Sequence, residues 1–288
     1  MTVRSYERPE SLEEATRLLI EHEGSQPLSG GTDLAVAMRH GTARPRVVVD
    51  LKGIPELASS ITRLDGGFRI AANTVMTALE RNEDVRRELP GLVEAAEVVG
   101  SVQIRNRATL AGNLCNASPA ADTPPVLMAL GASLELQGTG GQRSLRLDDF
   151  FTGYRQTSLE PGELITAITI PGRVRSSSAF LKLGVRRAME ISIVCVGAMV
   201  ELDETGRIAS AGIGMGSVAP TTVRAKDSEA MMIGSEPSTD LFTEAGRVAA
   251  TECSPIDDLR ASGEYRHAMV PVLVRRALAA AWQRARPS

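Results

Sequence analysis

An α+β fold built from more than one sub-structure is what this sequence predicts. Three observations carry that expectation. The chain has 288 residues, 43% of them apolar, which exceeds the usual size of a single hydrophobic core. Helix and strand signals alternate at its start. Near its end strand signals come in a run and helix signals follow, the order of a sheet with segregated helices.

The first elements read as a βαβ-like unit. "SLEEATRLLIEH" opens on Ser11 as an N-cap, with Glu13 and Glu14 in the first turn, where acids suit the helix dipole. Leu12, Ala15, Leu18 and Leu19 form its apolar stripe, and Gly24 ends it. "QPLSGG" is a short strand running into a glycine turn. "TDLAVAMRHG" is a short helix closed by Gly41. "RVVVDL" is a buried strand by its β-branched run.

The pattern changes after Ile54. "ITRLDGGFRIAAN" predicts a hairpin turning at Asp65-Gly66-Gly67. "TVMTALERNEDVRRELPGLVEAAEVVG" predicts two helices separated at Pro90-Gly91. The stretch from Ala108 to Pro125, "ATLAGNLCNASPAADTPP", is poor helix and poor strand and reads as a long loop. "PVLMALGASLELQG" passes from helix to strand at Gly131. A loop then leads to the strand "LITAITIP". Pro171-Gly172 and the polar run "RVRSSS" mark a boundary. Three strand signals follow, with a turn over residues 203–206, and then helices ending in "HAMVPVLVRRALAAAWQRA". A small antiparallel sheet with helices on one face is expected there.

Composition narrows the function. The net charge is −3 and aromatics are 3%, which argues against a nucleic-acid surface or base-stacking platform. Cys115, Cys195 and Cys253 are far apart and make no CxxC, so a reducing compartment is expected. His22, His40 and His267 are isolated, so no metal site is expected. No apolar window reaches membrane-span length, and "MTVRSYERPE" is no signal peptide. A cytoplasmic location is the simplest expectation.

Two stretches carry chemistry. In "LSGGTDL", Leu28 to Leu34, a strand signal ends, two glycines turn and a helix signal begins. Amides at such a turn can bind an anion with help from the helix dipole. Gly30 and Gly31 would let a phosphate come close. Thr32 offers a hydroxyl and Asp33 a cap. An ordinary capped turn would look the same. The long loop is the second stretch, and long irregular loops in compact domains tend to be functional. Thr109, Ala111, Gly112 and Asn113 would make another cradle, with Asp122 as an acceptor for hydroxyls. Together the two stretches fit a dinucleotide pyrophosphate. No GK[ST] follows either one, so neither is a P-loop. "GIGMGS" looks like part of a dinucleotide fingerprint but lacks the helix that motif needs, and reads as a glycine-rich strand. Lys182 lies on a strand among apolar neighbours, where it is either an exposed lysine or a cation beside a redox cofactor. Arg186 and Arg187 read as surface charges, and Cys115 as a small loop residue.

Taken in order, "LSGGTDLAVAMRHG", "QIRNRATLAGNLCNASPAADTPPVLMALGA", "ELITAITIP" and "FLKLGVRRAMEISIVCVGAMVELDETGRIASAGIGMGSVAPTTVRA" resemble the FAD-binding medium subunit of the molybdenum hydroxylases. That family includes xanthine dehydrogenases and aerobic carbon monoxide dehydrogenases. The resemblance implies a two-subdomain FAD-binding fold followed by a three-stranded sheet with helices. The expected parts are an α/β subdomain over 1–54, a middle subdomain over 55–174 and a C-terminal α+β domain over 175–288. It implies that FAD is held by Leu28, Ser29, Gly30, Gly31, Thr32, Asp33 and Leu34, and by Thr109, Ala111, Gly112, Asn113 and Asp122. Ile165 and Lys182 are implied as apolar and basic flavin contacts. Ala111 stands where the family often has glycine.

The resemblance also implies a division of labour. A molybdopterin-binding large subunit and a [2Fe-2S] small subunit would be the partners. FAD on this chain would pass electrons to NAD or a quinone. The flavin is the reactive group, so no catalytic side chain is expected. Two rival readings are a free-standing flavin oxidoreductase of the same fold and a non-enzymatic FAD-binding accessory protein.

Overall fold

The computed structural model describes residues 3–186 and 188–286. Its first sheet is parallel. Strand β1 (Ser5–Glu7) leads to helix α1 (Leu12–Glu21), strand β2 (Ser25–Leu28), helix α2 (Leu34–His40) and strand β3 (Val47–Asp50), in the sheet order β1-β3-β2. The Ser11 hydroxyl accepts from the Glu14 amide and caps α1. Gly41 ends α2 in the left-handed conformation at φ 72. All of β3 is buried. Because the strands run parallel, their C-terminal ends share one edge, where Leu28 lies opposite Asp50. Loops leaving such an edge are where α/β sheets place ligands.

The second sheet is antiparallel. Strands β4 (Ile61–Leu64) and β5 (Gly67–Ala71) form the expected hairpin. Short helices follow: α3 (Met76–Arg81), α4 (Glu83–Glu88), α5 (Pro90–Glu97), α6 (Val102–Arg105), α7 (Leu110–Cys115) and α8 (Thr123–Ala129). Strands β6 (Ser133–Gly138) and β7 (Gly141–Arg146), the hairpin of β8 (Phe151–Gly153) and β9 (Gln156–Thr157), and β10 (Leu164–Pro171) complete it, in the order β4-β5-β10-β6-β7 with β8-β9 apart.

Several expectations are corrected here. The first helical break falls at Asn82, whose side chain caps α4 through the Val85 amide. A second separation falls at Leu89, next to the expected one, and Pro90 opens α5 at a position where its missing N–H costs nothing. Half of the stretch 108–125 is helical, in α7 and the first turn of α8, and residues 116–122 between them form the loop. Thr109 caps α7 through the Gly112 amide, and the prolines of α8 lie in its first turn. Ser176, Ser177 and Ser178, expected in a boundary, begin a strand.

That strand is β11 (Ser176–Leu183), followed by β12 (Val194–Leu202), β13 (Ile208–Gly216) and β14 (Val223–Arg224), paired antiparallel in chain order. Helices α9 (Lys226–Met232), α10 (Thr239–Thr251) and α11 (Gly263–Ala285) come last. Helices cover both faces of this sheet, not one. Val194, Val196, Ala198 and Val200 join the core under α10 and α11. Cys195 and Met199, pointing the other way by strand alternation, join the core of the first two sheets. On that second face Gly197, Gly212 and Gly214 meet α8. A Cβ at Gly212 would lie 1.9 Å from the Ala129 carbonyl oxygen, and one at Gly214 would lie 2.0 Å from that of Pro125. The glycines of "GIGMGS" thus let a helix lie against bare strand backbone, consistent with the strand reading.

Candidate functional site

The two glycine-bearing stretches meet. Leu28 ends β2 and Ser29 follows it at the C-terminal edge of the parallel sheet. The Ser29 hydroxyl donates to Asn73 Oδ1 at 2.5 Å. Its oxygen lies 3.1 Å from Thr109 Oγ1. Ser29 has one proton and gives it to Asn73, so Thr109 is the donor in that second contact. Thr109 Oγ1 also accepts from the Gly112 amide at 3.1 Å. At the far end Asn116, which follows α7, donates to Asp33 Oδ1 at 3.2 Å and accepts from Arg155 at 3.1 Å. The stretches are therefore joined at two points.

Between those points lie unpaired amides. The N–H groups of Gly30, Gly31, Thr32, Asp33 and Ala111 make no hydrogen bond among the described residues. Backbone donors without partners, beside two helix starts, are groups of the kind that receive an anion. The glycines serve it differently from expectation. A Cβ on Gly30 would sit 2.0 Å from the Arg107 carbonyl oxygen, so this glycine makes room for the second stretch and not for a phosphate. Gly31 holds φ +75, the left-handed region, which aims the following amides. A Cβ on Gly112 would lie 2.8 Å from Thr109 Oγ1 and disturb the cap.

Asp33 stands at the N-cap of α2 but its side chain makes no cap bond; the carboxylate faces Asn116 instead. Thr32 and Leu34 are half-buried, and Ala111 is buried. Asn113 Oδ1 accepts from the Thr123 hydroxyl at 2.6 Å. Asp33 and Cys115 are both reached by solvent. The protein around them nevertheless pushes the Asp33 carboxyl up, against an opposing pull from Arg155, and the Cys115 thiol up to about 12.

Asp122 and Lys182 form one ion pair. Lys182 Nζ donates to Asp122 Oδ2 at 2.9 Å and to the Glu190 carbonyl at 3.0 Å. The buried Ser192 hydroxyl donates to Asp122 Oδ1 at 2.8 Å. Register explains the meeting. Lys182 pairs with Cys195 and Cys195 with Gly216, so all three face α8, just after Asp122. Burial pushes the Asp122 carboxyl up, while Lys182 and Ser192 oppose that rise. Both Asp122 oxygens thus already accept within the chain, one of them from a hydroxyl. Ile165 lies in the core cluster that also holds Ala111 and Leu114, only 4% exposed. Arg186 is exposed; Arg187 lies outside the described residues.

Asn73 and Ser192 were missed from the sequence. Each acts through a partner far along the chain, and neither sits in a motif.

The "FAD binding domain in molybdopterin dehydrogenase" family model matches residues 2–173. The chain belongs to this family. A second model, the "CO dehydrogenase flavoprotein C-terminal domain", matches residues 179–281. Family members similar to this chain include the 6-hydroxypseudooxynicotine dehydrogenase complex subunit alpha of Paenarthrobacter nicotinovorans, 32% identical over 97% of this chain and 94% of that one. The xanthine dehydrogenase FAD-binding subunit of Escherichia coli O157:H7 is 30% identical over 96% of this chain and 95% of its own length. Among solved structures, the carbon monoxide dehydrogenase of Hydrogenophaga pseudoflava superposes with a TM-score of 0.92 at 32% identity, over 97% of both chains. This family member is an FAD-binding subunit of a molybdenum-hydroxylase-type dehydrogenase, an oxidoreductase. No helix among the described residues is long and apolar enough to cross a membrane.

Proposed function

We propose that this chain takes electrons from [2Fe-2S] clusters on a small partner subunit and passes them through FAD to NAD or a quinone, in a cytoplasmic complex whose large subunit binds molybdopterin. The observation that carries the reading is the cradle of unpaired amides between two stretches joined at Ser29–Thr109 and Asp33–Asn116. It fits a pyrophosphate, because its donors are unused and the groups around them are already paired. On this reading Leu28 to Leu34 and Thr109 to Asn113 hold the pyrophosphate, while Ile165 and the Asp122–Lys182 pair stand near the flavin. The parts 1–54, 55–174 and 175–288 then act as two clasping subdomains and a supporting domain.

When bound, FAD accepts and releases electrons singly or in pairs. The protein binds, orients and tunes it. Iron–sulfur clusters need sets of cysteines. The chain has three, of which Cys195 is buried and Cys253 half-buried, so the clusters belong on a partner.

Affinity recovery of the tagged chain from its own cells tests this. Co-recovery of a molybdopterin-containing chain and a [2Fe-2S] chain, with flavin reoxidised by NAD or a quinone, is the expected result. A chain recovered alone whose flavin is reduced directly by a substrate would overturn it in favour of a free-standing oxidoreductase. A chain recovered with partners that never reduce its flavin would point to an accessory role.

A further inference from the structure

We propose that Asn73 is a positioning residue for FAD binding, acting on the cradle through Ser29. The inference rests on placing the FAD pyrophosphate at the two joined stretches.

Asn73 stands just after β5, outside both stretches, and touches three separate parts of the chain. Its Nδ2 donates to the Leu51 carbonyl at 3.0 Å, just beyond β3. Its own amide donates to the Leu57 carbonyl at 3.0 Å. Its Oδ1 accepts from Ser29. The bond to Leu51 fixes which end of the carboxamide faces Ser29, because only the NH2 end can donate to a carbonyl. The oxygen is therefore presented to Ser29, and the serine proton must point at it. The Ser29 oxygen is then left as the acceptor for Thr109. The proton order Thr109→Ser29→Asn73 follows from one amide orientation.

This order has a consequence for an anion. Both hydroxyl protons are already committed, that of Thr109 to Ser29 and that of Ser29 to Asn73. The anion is left to the backbone amides of Gly30 to Asp33 and Ala111. Asn73 also anchors Ser29, the residue from which the turn of Gly30 and Gly31 departs. Fixed donors need no rearrangement on binding, and preorganisation of this kind contributes to affinity.

The test uses the full chain, stripped of flavin and titrated with FAD between pH 5 and 8. Asn73→Asp keeps the shape and still accepts from Ser29. Ionised, it sets a carboxylate against the Leu51 carbonyl and near the bound diphosphate, and like charges in close apposition weaken association. Its FAD Kd should rise on the order of tenfold or more at pH 8. The loss should shrink as pH falls, because protonation removes the charge and restores a donor toward Leu51. Denaturant melts of the flavin-free variant over the same pH range separate a structural loss, in which stability and Kd change together, from the positioning role, in which Kd changes by more than stability does. Asn73→Ala supplies a second measurement should the aspartate variant fold poorly. It should weaken FAD binding in the wild-type background and have little further effect in a Ser29→Ala background. A wild-type Kd in Asn73→Asp at every pH, or additive losses in the double variant, would overturn the proposal. Gly30→Ala separates the two levels. If it too binds FAD normally, the pyrophosphate has been misplaced. If it loses FAD while the Asn73 variants do not, only the role of Asn73 fails.

Discussion

Ser29 and Thr109 are 80 residues apart in sequence, and their hydroxyl oxygens are 3.1 Å apart. Thr109 also caps α7. One hydroxyl therefore starts a helix and ties it to the loop after β2. Thr109→Ala should cost about 1 kcal/mol of stability as a lost N-cap and weaken FAD binding as well. Thr109→Ser should keep most of both. Denaturant melts and flavin titration on the two variants check this. An alanine variant with unchanged FAD affinity would separate the cap from the cradle.

The adjacent glycines should differ in sensitivity. Gly31→Ala forces a side chain into the left-handed region, at roughly 1–2 kcal/mol, and its Cβ meets only the flexible end of Leu28. Gly30→Ala drives a Cβ into the Arg107 backbone carbonyl, which cannot yield without separating the two stretches. Gly30→Ala should therefore lose flavin more completely, read as the ratio of flavin to protein absorbance after purification. Equal retention in both variants contradicts the close approach.

Lys182→Met leaves Asp122 buried beside Ser192 without its cation. Breaking a buried ion pair costs about 3–5 kcal/mol, and the side chains here are only 9% and 10% exposed. The melting temperature should fall, and adding Asp122→Asn should recover part of the loss. In FAD-loaded protein the single variant should also show a lower flavin midpoint potential, because a cation that favours the anionic reduced flavin is gone. An unchanged potential with full flavin occupancy removes Lys182 from the flavin's surroundings.

Acid stability should report on Asp50. Burial raises this carboxyl, but hydrogen bonds from Lys52 and Tyr6 outweigh burial and hold it below its usual value. A carboxyl depressed in the folded state stabilises above its unfolded pKa, and the contribution is lost as pH falls through the folded value. Tyr6→Phe removes the 2.5 Å bond from the phenol, a loss of about 1 kcal/mol or somewhat more. The gap between variant and wild type should be largest near neutral pH and shrink in acid. Denaturant midpoints across that range measure it, and a gap that grows in acid would have the wrong sign.

What the sequence made legible was local. The caps at Ser11 and Gly41, the hairpin at Asp65–Gly67 and the β-branched run of β3 depend on neighbouring residues, and the structure places them where the pattern does. The stretch 108–125 misled because helices as short as α7 and α8 have little intrinsic stability and rely on caps and packing. Its glycine and prolines look like breakers until Thr109 is seen capping and the prolines are seen in a first turn. Pairings across long separations were illegible. Nothing near Asn73 points to Ser29. Nothing near Lys182 says that strand register turns it toward Asp122. The reason Gly30 must be glycine lies in a carbonyl on Arg107.

The seat of α8 on Gly197, Gly212 and Gly214 bears on how the chain could be divided. Where helix and strands meet as bare backbone, no side chain is available to repack around a gap. The same helix is joined to the second cradle stretch by the short loop over residues 116–122. A fragment ending near residue 174 would lose the floor under that helix along with Lys182 and Ser192. The flavin site and the last sheet thus form one heritable unit, and a graft onto another scaffold would have to carry the glycine strands with it.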